Sequence, residues 1–384
     1  MKRTSLLIAC CLALLLAACQ AHSRMPVLKL PRSTPTFSIT DGWLRVAYFP
    51  SWGPKTSGVT PLDIAADYLT HLNYAFVVPN TGGECIPDST AASKENIPSL
   101  QALRRKYPNL RLLASIGGGG DLEAKFQNVV SSPENIARFT SSCLALMKSW
   151  DFDGLDLDWE FSKADFTQSY TALLTEMRRQ IDQQSLADGG RKYTLTVALP
   201  AGPWGIARFE LNQIYPLVDW INLMTYNYYG SWSVSTGLNA PLYQVGADPQ
   251  GLSVDKTVQS YLEAGIPANK LVLGVPFFGL AWQGVGPEQN GLFQPNQGIY
   301  GLGAFDYRLI KEKYVSSFPA YWEEAARVPW LYDPVQGVMI SYDDPRSLKK
   351  KAVYARTLGL AGVMIWQITS DDVEHSLLKA VSIP

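Results

Sequence analysis

The sequence predicts an α/β fold, a (β/α)8 TIM barrel with a small α+β insertion between strands 7 and 8 of the barrel. From residue 41 onward, strand-like apolar runs alternate with amphipathic helical patterns, which is typical of βα units around a parallel sheet. Eight such strand runs can be read, the number that this barrel requires. The segment between the last two runs is too long for one crossover helix, and its Gly, Pro and aromatic residues predict a packed insertion at about 280–342.

Several of the predicted strands are near-continuous apolar runs, as expected for parallel strands covered on both faces. The eight are 44–52, 71–77, 110–118, 152–160, 193–201, 219–227, 270–279 and 362–368. Between them, apolar residues recur at helical spacing over 136–150 and 166–181. A further helix is predicted to begin after the cap Ser253 and to stop at Gly265.

Composition excludes some classes of function. The 384 residues carry a net charge of −1 with no basic run, which argues against nucleic acid as a partner. The three His and five scattered Cys predict no metal site, and we expect no cofactor and a monomer. Eleven Trp and nineteen Tyr fit either core filling or a groove that stacks sugar rings.

The N-terminus predicts export. Lys2 and Arg3 precede a short apolar run at 6–16, a pattern typical of a signal peptide and too short to span a bilayer. The run ends in "LAAC", which resembles the bacterial lipobox and predicts a lipid on Cys19. An ordinary signal peptide cut nearby is the alternative. The protein is therefore expected on a bacterial membrane, at the outer membrane or cell surface, or secreted.

These patterns divide the chain into a lipoprotein signal peptide at 1–18, a tether at 19–40 and the barrel domain at 41–384. The tether is predicted because residues 20–40 contain Pro and Ser without any period. Export permits a disulfide between Cys85 and Cys143. A buried free thiol is an equal alternative, since Cys143 lies on the apolar face of a predicted helix.

The fourth predicted strand, "FDGLDLDWEF" at 152–161, places acids in an apolar segment. Side chains alternate between the two faces of a strand. One face carries Asp156, Asp158 and Glu160, and the other carries Leu155, Leu157 and Trp159. Bulky apolar residues suit the helix side, so the three acids are expected along the barrel axis, with Glu160 at the C-terminal mouth. Asp153 is out of phase and is expected to brace the start of the strand.

Acids this close raise one another's pKa, so at least one is expected to hold a proton near neutral pH. A protonated carboxyl is what a glycosidase needs to protonate a leaving oxygen. A hydrogen-bonded structural cluster and a metal site are the alternatives. Three acids on one strand span too far to complete a coordination sphere alone.

"DGLDLDWE" at 153–160 resembles the D-x-x-D-x-D-x-E signature of family 18 glycoside hydrolases, the chitinases and their relatives. "SIGG" at 115–118 and "MTYN" at 224–227 resemble further motifs of the family, which follow its third and sixth strands. "GVMIWQI" resembles its eighth strand, and "YDDPRSLKKKAVYA" at 342–355 the segment after its α+β insertion. The resemblance covers roughly residues 44–370.

This resemblance implies substrate-assisted hydrolysis with retention and without a protein nucleophile. Glu160 is implied as general acid/base, and the substrate's own acetamido group attacks C1. Asp158 is implied to accept from the acetamido N–H, and Asp156 to share a proton with Asp158. Tyr226 would hold the acetamido oxygen, and Trp366 would form the floor under the sugar.

Further substrate contacts are predicted for Met224, Asn227, Tyr48, Phe76, Gly118 and Trp159. For Tyr48 and Phe76, core packing is an equal alternative. Three positions depart from the family pattern: Asn227 replaces Asp, Gly119 stands where many members have Trp, and Leu280 replaces Arg. The last two are expected to thin the binding groove.

The sequence thus predicts a chitinase that cleaves β-1,4-linked N-acetylglucosamine polymers. An endo-β-N-acetylglucosaminidase acting on N-glycans or peptidoglycan-like glycans would use the same site. A chitin-binding lectin is the alternative outside the enzymes, and the presence of Glu160 argues against it, because lectins of this family usually lose the acid.

Overall fold

The structure, a computed structural model, describes residues 42–160 and 163–382. The predicted signal peptide, the lipid on Cys19 and the tether lie outside these residues and stay predictions. No helix within the described ranges is both long and apolar enough to cross a bilayer.

Strands and helices are numbered here in chain order. The strands are β1 (Leu44–Pro50), β2 (His71–Pro79), β3 (Cys85–Pro87), β4 (Arg111–Gly118), β5 (Gly154–Trp159), β6 (Thr194–Pro200), β7 (Trp220–Met224), β8 (Leu271–Pro276), β9 (Phe278–Trp282), β10 (Ile299–Asp306), β11 (Ala320–Glu323), β12 (Val328–Asp333), β13 (Val338–Ser341) and β14 (Gly362–Trp366). The helices are α1 (Gly53–Ser57), α2 (Thr90–Lys106), α3 (Glu123–Val129), α4 (Pro133–Ser149), α5 (Thr167–Ala187), α6 (Pro203–Ile206), α7 (Leu211–Ile214), α8 (Val254–Glu263), α9 (Tyr307–Lys313), α10 (Pro345–Thr357) and α11 (Ser376–Ser382).

Eight parallel strands close into a barrel, so the predicted fold class is confirmed. Their order is β1-β2-β4-β5-β6-β7-β8-β14, and β14 pairs back onto β1. β3 adds an antiparallel hairpin to β2. The main apolar core lies between the strands and the helices, and a smaller one fills the barrel interior.

A second sheet interrupts the barrel between β8 and β14. It is antiparallel, with the order β10-β9-β13-β12-β11, and α9 follows β10. The predicted strand 270–279 divides here, because β8 ends at Pro276 and Phe278 begins β9 in the other sheet. The apolar sequence runs unbroken across this change of sheet and therefore did not reveal it.

The start and stop signals predicted for the helix after Ser253 are both present in the structure. Ser253 precedes α8, and its hydroxyl accepts a hydrogen bond from the backbone N–H of Lys256 at 3.1 Å. Gly265, two residues after the end of α8, has a φ of 91°, a conformation that glycine adopts without strain. These local signals ended the helix close to the predicted bounds.

Cys85 and Cys143 form a disulfide, which resolves the alternative that the sequence left open. Cys85 begins β3 and Cys143 lies inside α4, so the bond ties the β2–β3 hairpin to the outer helix layer. The bonded residues are 58 positions apart, and a loop of this size removes much conformational freedom from the unfolded chain.

Replacing both Cys85 and Cys143 by Ala is expected to lower the free energy of unfolding by about 2–4 kcal/mol, chiefly because the unfolded chain gains loop entropy. Urea unfolding with and without reductant measures this change. Reductant should shift the midpoint of the native protein toward that of the variant and leave the variant unchanged. Equal midpoints for the native protein in both conditions would show that the bond contributes nothing.

Candidate active site

A cleft of about 480 Å³ opens at the carboxyl ends of the barrel strands, the end at which such barrels carry their active sites. It is lined by Tyr48, Trp52, Phe76, Val78, Asp88, Gly117, Gly119, Gly120, Asp121, Leu122, Asp158, Glu160, Ala198, Met224, Tyr226, Asn227, Met364 and Trp366. No group of three or more His, Cys, Asp or Glu in the described part of the chain is arranged to hold a metal ion.

Asp156 lies below the cleft, fully buried in the barrel interior. Its carboxylate accepts hydrogen bonds from four neutral donors: Tyr48 Oη at 2.7 Å, Ser115 Oγ at 2.8 Å, Asn222 Nδ2 at 3.2 Å and Thr196 Oγ1. Burial raises the pKa of Asp156, and the bonds from Thr196 and Tyr48 oppose that rise. The resemblance implies that Asp156 and Asp158 share a proton, but among the described residues no hydrogen bond joins their side chains.

Asp158 is the next residue on the same face of β5, and it lines the cleft. Its Oδ1 atom is buried and has no hydrogen-bond partner among the described residues. Burial, together with the charges of Glu160 and Asp156, raises the pKa of Asp158 well above its ordinary value. A side chain at Gly117 would place its Cβ 2.1 Å from the Asp158 carbonyl oxygen, so this close strand approach requires glycine.

Glu160 follows β5 directly and lines the cleft. Burial raises the pKa of Glu160 to about 7, although a hydrogen bond from the backbone of Gly119 acts in the opposite direction. A carboxyl group with this pKa is half protonated at neutral pH and is therefore suited to give and take a proton there.

Tyr226 and Asn227 also line the cleft, and they lie on the turn after β7. Burial and the charge of Asp158 raise the pKa of Tyr226 well above its ordinary value, so its hydroxyl keeps its proton. Asn227 has a φ of 56°, a left-handed conformation that Asn tolerates better than most residues. The predicted strand 219–227 ends at Met224 because this turn leaves the sheet.

Aromatic rings form the wall beside the acids. The Trp366 ring centroid lies 5.5 Å from that of Tyr48 and 5.8 Å from that of Phe76, with an interplanar angle of 24° in the second pair. Trp52 extends this wall outward, 6.1 Å from Phe76. Tyr48 lines the cleft and also donates a hydrogen bond to Asp156. Burial raises the pKa of Tyr48 well above its ordinary value, so its hydroxyl keeps the proton that it donates.

Two residues predicted as substrate contacts, Trp159 and Gly118, do not line the cleft. Trp159 points to the helix layer, where its ring stacks on Phe126 at 4.6 Å and lies 5.9 Å from Tyr170. The alternation of β5 places it opposite the acids, as the sequence pattern indicated. Gly118 does not line the cleft. A Cβ at that position would lie 2.4 Å from the Phe76 ring, so Gly118 makes room for that ring.

Asp153 lies at the start of β5, at the opposite end from Glu160. Its carboxylate is 3.1 Å from Arg191 and 3.4 Å from Arg104, and it accepts a hydrogen bond from the backbone N–H of Leu112 at 3.0 Å. The interpretation of Asp153 as a brace for the strand agrees with these contacts.

Several residues of the site were not predicted from the sequence. Trp52, Asp88 and Asp121 lie in loops that line the cleft, and no local pattern marks them. Thr196 and Asn222 do carry a signal, because each is a polar residue inside an apolar strand. β4 and β6 pair with β5 so that Ser115 and Thr196 are both in register with Asp156.

The departures from the family pattern lie in different places. Gly119 faces the acid, since a Cβ there would be 3.7 Å from Glu160 Oε1. Leu280 lies in β9 and does not line the main cleft. It lines a neighbouring cavity of about 180 Å³ that also contacts Asn227 and Trp232.

A (β/α)8 barrel that holds a row of buried carboxyl groups beside aromatic rings at its C-terminal mouth has the features of a glycosidase. The chain belongs to glycosyl hydrolases family 18, whose family model matches residues 45–371.

Similar proteins include chitinases and an N-acetylglucosaminidase. Chitinase A1 of Niallia circulans is 31% identical, covering 88% of this chain and 58% of its own length, and Chitinase B of Serratia marcescens is 31% identical, covering 85% and 77%. The chitinase ChiA74 structure from Bacillus thuringiensis has a TM-score of 0.82 at 29% identity, covering 88% of this chain and 69% of that one. A family 18 N-acetylglucosaminidase from Paenibacillus barengoltzii has a TM-score of 0.79 at 30% identity, covering 88% and 99%.

Proposed function

We propose that the protein hydrolyses β-1,4-linked N-acetylglucosamine polymers, chitin and chitooligosaccharides, by substrate-assisted retaining catalysis. One observation carries the proposal: Glu160, Asp158 and Tyr226 line a single cleft together with Trp366. Relatives named as chitinases support the choice of polymer.

In the first step, Glu160 gives its proton to the glycosidic oxygen and the bond from that oxygen to C1 breaks. The acetamido carbonyl oxygen of the same sugar forms a new bond to C1, which yields a cyclic oxazolinium ion. In the second step, water attacks C1 and gives a proton back to Glu160, and the acetamido group is released. Two inversions at C1 give overall retention. A pKa of about 7 suits both proton transfers.

Neighbouring groups orient and stabilise the acetamido group. The unpartnered Oδ1 of Asp158 is a buried acceptor for the acetamido N–H, and its negative charge offsets the positive charge that develops in the ring. The Tyr226 hydroxyl donates to the acetamido oxygen and holds it near C1. Asp156 acts on Asp158 through its charge. Trp366 forms the floor under the sugar, with Tyr48 and Phe76 beside it.

Cleavage of N-glycans is the second candidate, because it needs the same acetamido chemistry and a similar structure is named an N-acetylglucosaminidase. Peptidoglycan fits less well. The described residues that line the cleft include four acids, Asp88, Asp121, Asp158 and Glu160, and no Lys, Arg or His. Such a cleft repels the carboxylates of an anionic glycan.

Digestion of chitohexaose, with products followed by mass spectrometry and proton NMR, tests the proposal. We expect shorter N-acetylglucosamine oligomers whose new reducing ends first appear as the β-anomer. Cellohexaose is the matched control, since it has the same linkage without the acetamido group, and it should remain intact. An N-glycoprotein incubated in parallel measures the second candidate. Early α-anomer, or equal cleavage of cellohexaose, contradicts the mechanism.

A further inference from the structure

We infer that Asn239 is a positioning residue for Tyr226, and that through it the antiparallel sheet between β8 and β14 sets the rate of the reaction in the cleft. Asn239 lies outside the cleft lining and is buried, with 1% of its surface exposed. The inference rests on the proposed function, because it concerns the residue that would hold the acetamido oxygen.

The side chain of Asn239 joins the turn after β7, which lines the cleft, to the first strand of the antiparallel sheet. Its Oδ1 accepts a hydrogen bond from the backbone N–H of Asn227 at 3.0 Å. Its Nδ2 donates to the backbone carbonyl of Phe278 at 3.3 Å. Asn227 follows Tyr226 directly, and Phe278 begins the first strand of the antiparallel sheet. One amide therefore links the turn after β7 to β9.

The backbone of Asn239 extends this link. Its carbonyl accepts from the N–H of Tyr228 at 3.3 Å, and its N–H donates to Ser341 Oγ at 2.8 Å. Ser341 is buried at the end of β13. The two residues after Tyr226 are thus both held by Asn239, which is itself held by the sheet.

Tyr226 depends on such support. No hydrogen bond to its hydroxyl is present among the described residues, so the turn and the ring contacts fix its position. Its ring meets the ring of Phe278 edge-on at a centroid distance of 5.8 Å and an angle of 81°. Asn239 is hydrogen-bonded to the Asn227 N–H and to the Phe278 carbonyl. It therefore restrains the residue that follows Tyr226 in the chain and the residue whose ring packs against Tyr226.

Only a side chain with one donor and one acceptor satisfies both partners. Asp at position 239 keeps the acceptor for the Asn227 N–H but turns a second oxygen toward the Phe278 carbonyl, where the two repel. Asn239→Asp therefore weakens the link to β9 at nearly constant volume. Ser341→Ala weakens the same link from the other side and adds no charge.

A double-mutant cycle on chitotetraose hydrolysis tests the inference. We expect Asn239→Asp to lower kcat by about 10- to 100-fold with KM within about threefold, because a displaced positioning group costs rate rather than binding. In a Tyr226→Phe background, the same change should lower kcat by less than about twofold, since the hydroxyl that it positions is gone. Ser341→Ala should show a smaller loss that also vanishes in that background.

Thr236→Val is the matched control. Thr236 is buried in the same loop, and its hydroxyl donates to the Gly291 carbonyl at 2.6 Å and accepts from the Gln294 N–H. This variant should lower the midpoint of thermal unfolding and leave kcat within about twofold.

The outcomes separate the two proposals. A native protein that cleaves no chitooligosaccharide overturns the proposed function. An active native protein whose Asn239→Asp or Ser341→Ala losses persist in full in the Tyr226→Phe background overturns the inference. The inference is also overturned if Thr236→Val lowers kcat as strongly as Asn239→Asp does.

Discussion

Glu160→Gln is expected to lower kcat by about 10³-fold or more, while the Kd for a chitooligosaccharide stays within about threefold. Gln has nearly the same shape as Glu and keeps its polar contacts, but it cannot give a proton to the glycosidic oxygen. Turnover of chitotetraose gives kcat, and calorimetric titration gives Kd. Glu176→Gln is the control, because it makes the same change on the helix α5 and should leave both values unchanged.

The pH dependence of the native enzyme follows from the same group. With a pKa of about 7 for Glu160, kcat/KM should fall above about pH 7, as the proton needed for the first step is lost. The residual activity of Glu160→Gln should lack this alkaline limb. A variant that keeps the native rate, or a native profile that is flat between pH 6 and 9, would contradict the role of Glu160.

Stability should also depend on pH through Glu160. Its pKa of about 7 in the folded protein is higher than the ordinary value of 4.5, so the folded state binds the proton more tightly between these two pH values. The free energy of unfolding therefore falls as pH rises through this window, by about 3 kcal/mol from this group. The Gln variant should lose this part of the dependence and gain stability over the native protein at pH 8.

Asp158→Asn is expected to lower kcat by about 10²- to 10³-fold, because it removes the negative charge beside the cationic intermediate. Oδ1 of Asp158 lacks a partner among the described residues, so the loss of the negative charge should affect the substrate rather than the fold. Rates on chitotetraose measure the effect, and circular dichroism confirms the fold.

A second consequence distinguishes this variant from a general loss of structure. The charge of Glu160 raises the pKa of Asp158, and the repulsion between two like charges acts equally on both groups. Removing the charge of Asp158 should therefore move the alkaline limb of kcat/KM to lower pH. Asp121→Asn changes a carboxyl in an exposed loop of the cleft and should leave the limb in place. Near-native turnover by Asp158→Asn would count against acetamido participation.

The alternation of side chains along β5 was predictable from the sequence. The two-residue period placed Asp156, Asp158 and Glu160 on one face and Trp159 on the other, and the structure has this arrangement. A substrate contact at Trp159 conflicts with this period. The Trp159 ring packs in the helix layer because a strand side chain cannot face both ways.

Contacts between segments far apart in the chain could not be predicted from local sequence patterns. Cys143 on an apolar helix face was compatible with a free thiol or a disulfide, and only the position of β3 beside α4 decided between them. In the same way, Asn239 and Phe278 are 39 residues apart, and no local sequence pattern connects them.

The order of strands and helices, the closed barrel and the row of acids along its axis were determined by the sequence alone, because periodicity and burial act over a few neighbouring residues. The donors around Asp156, the disulfide and the link from Asn239 to the turn after Tyr226 were decided only by the tertiary structure. These features depend on the register between strands and on loop paths, which are set by packing among segments far apart in the chain.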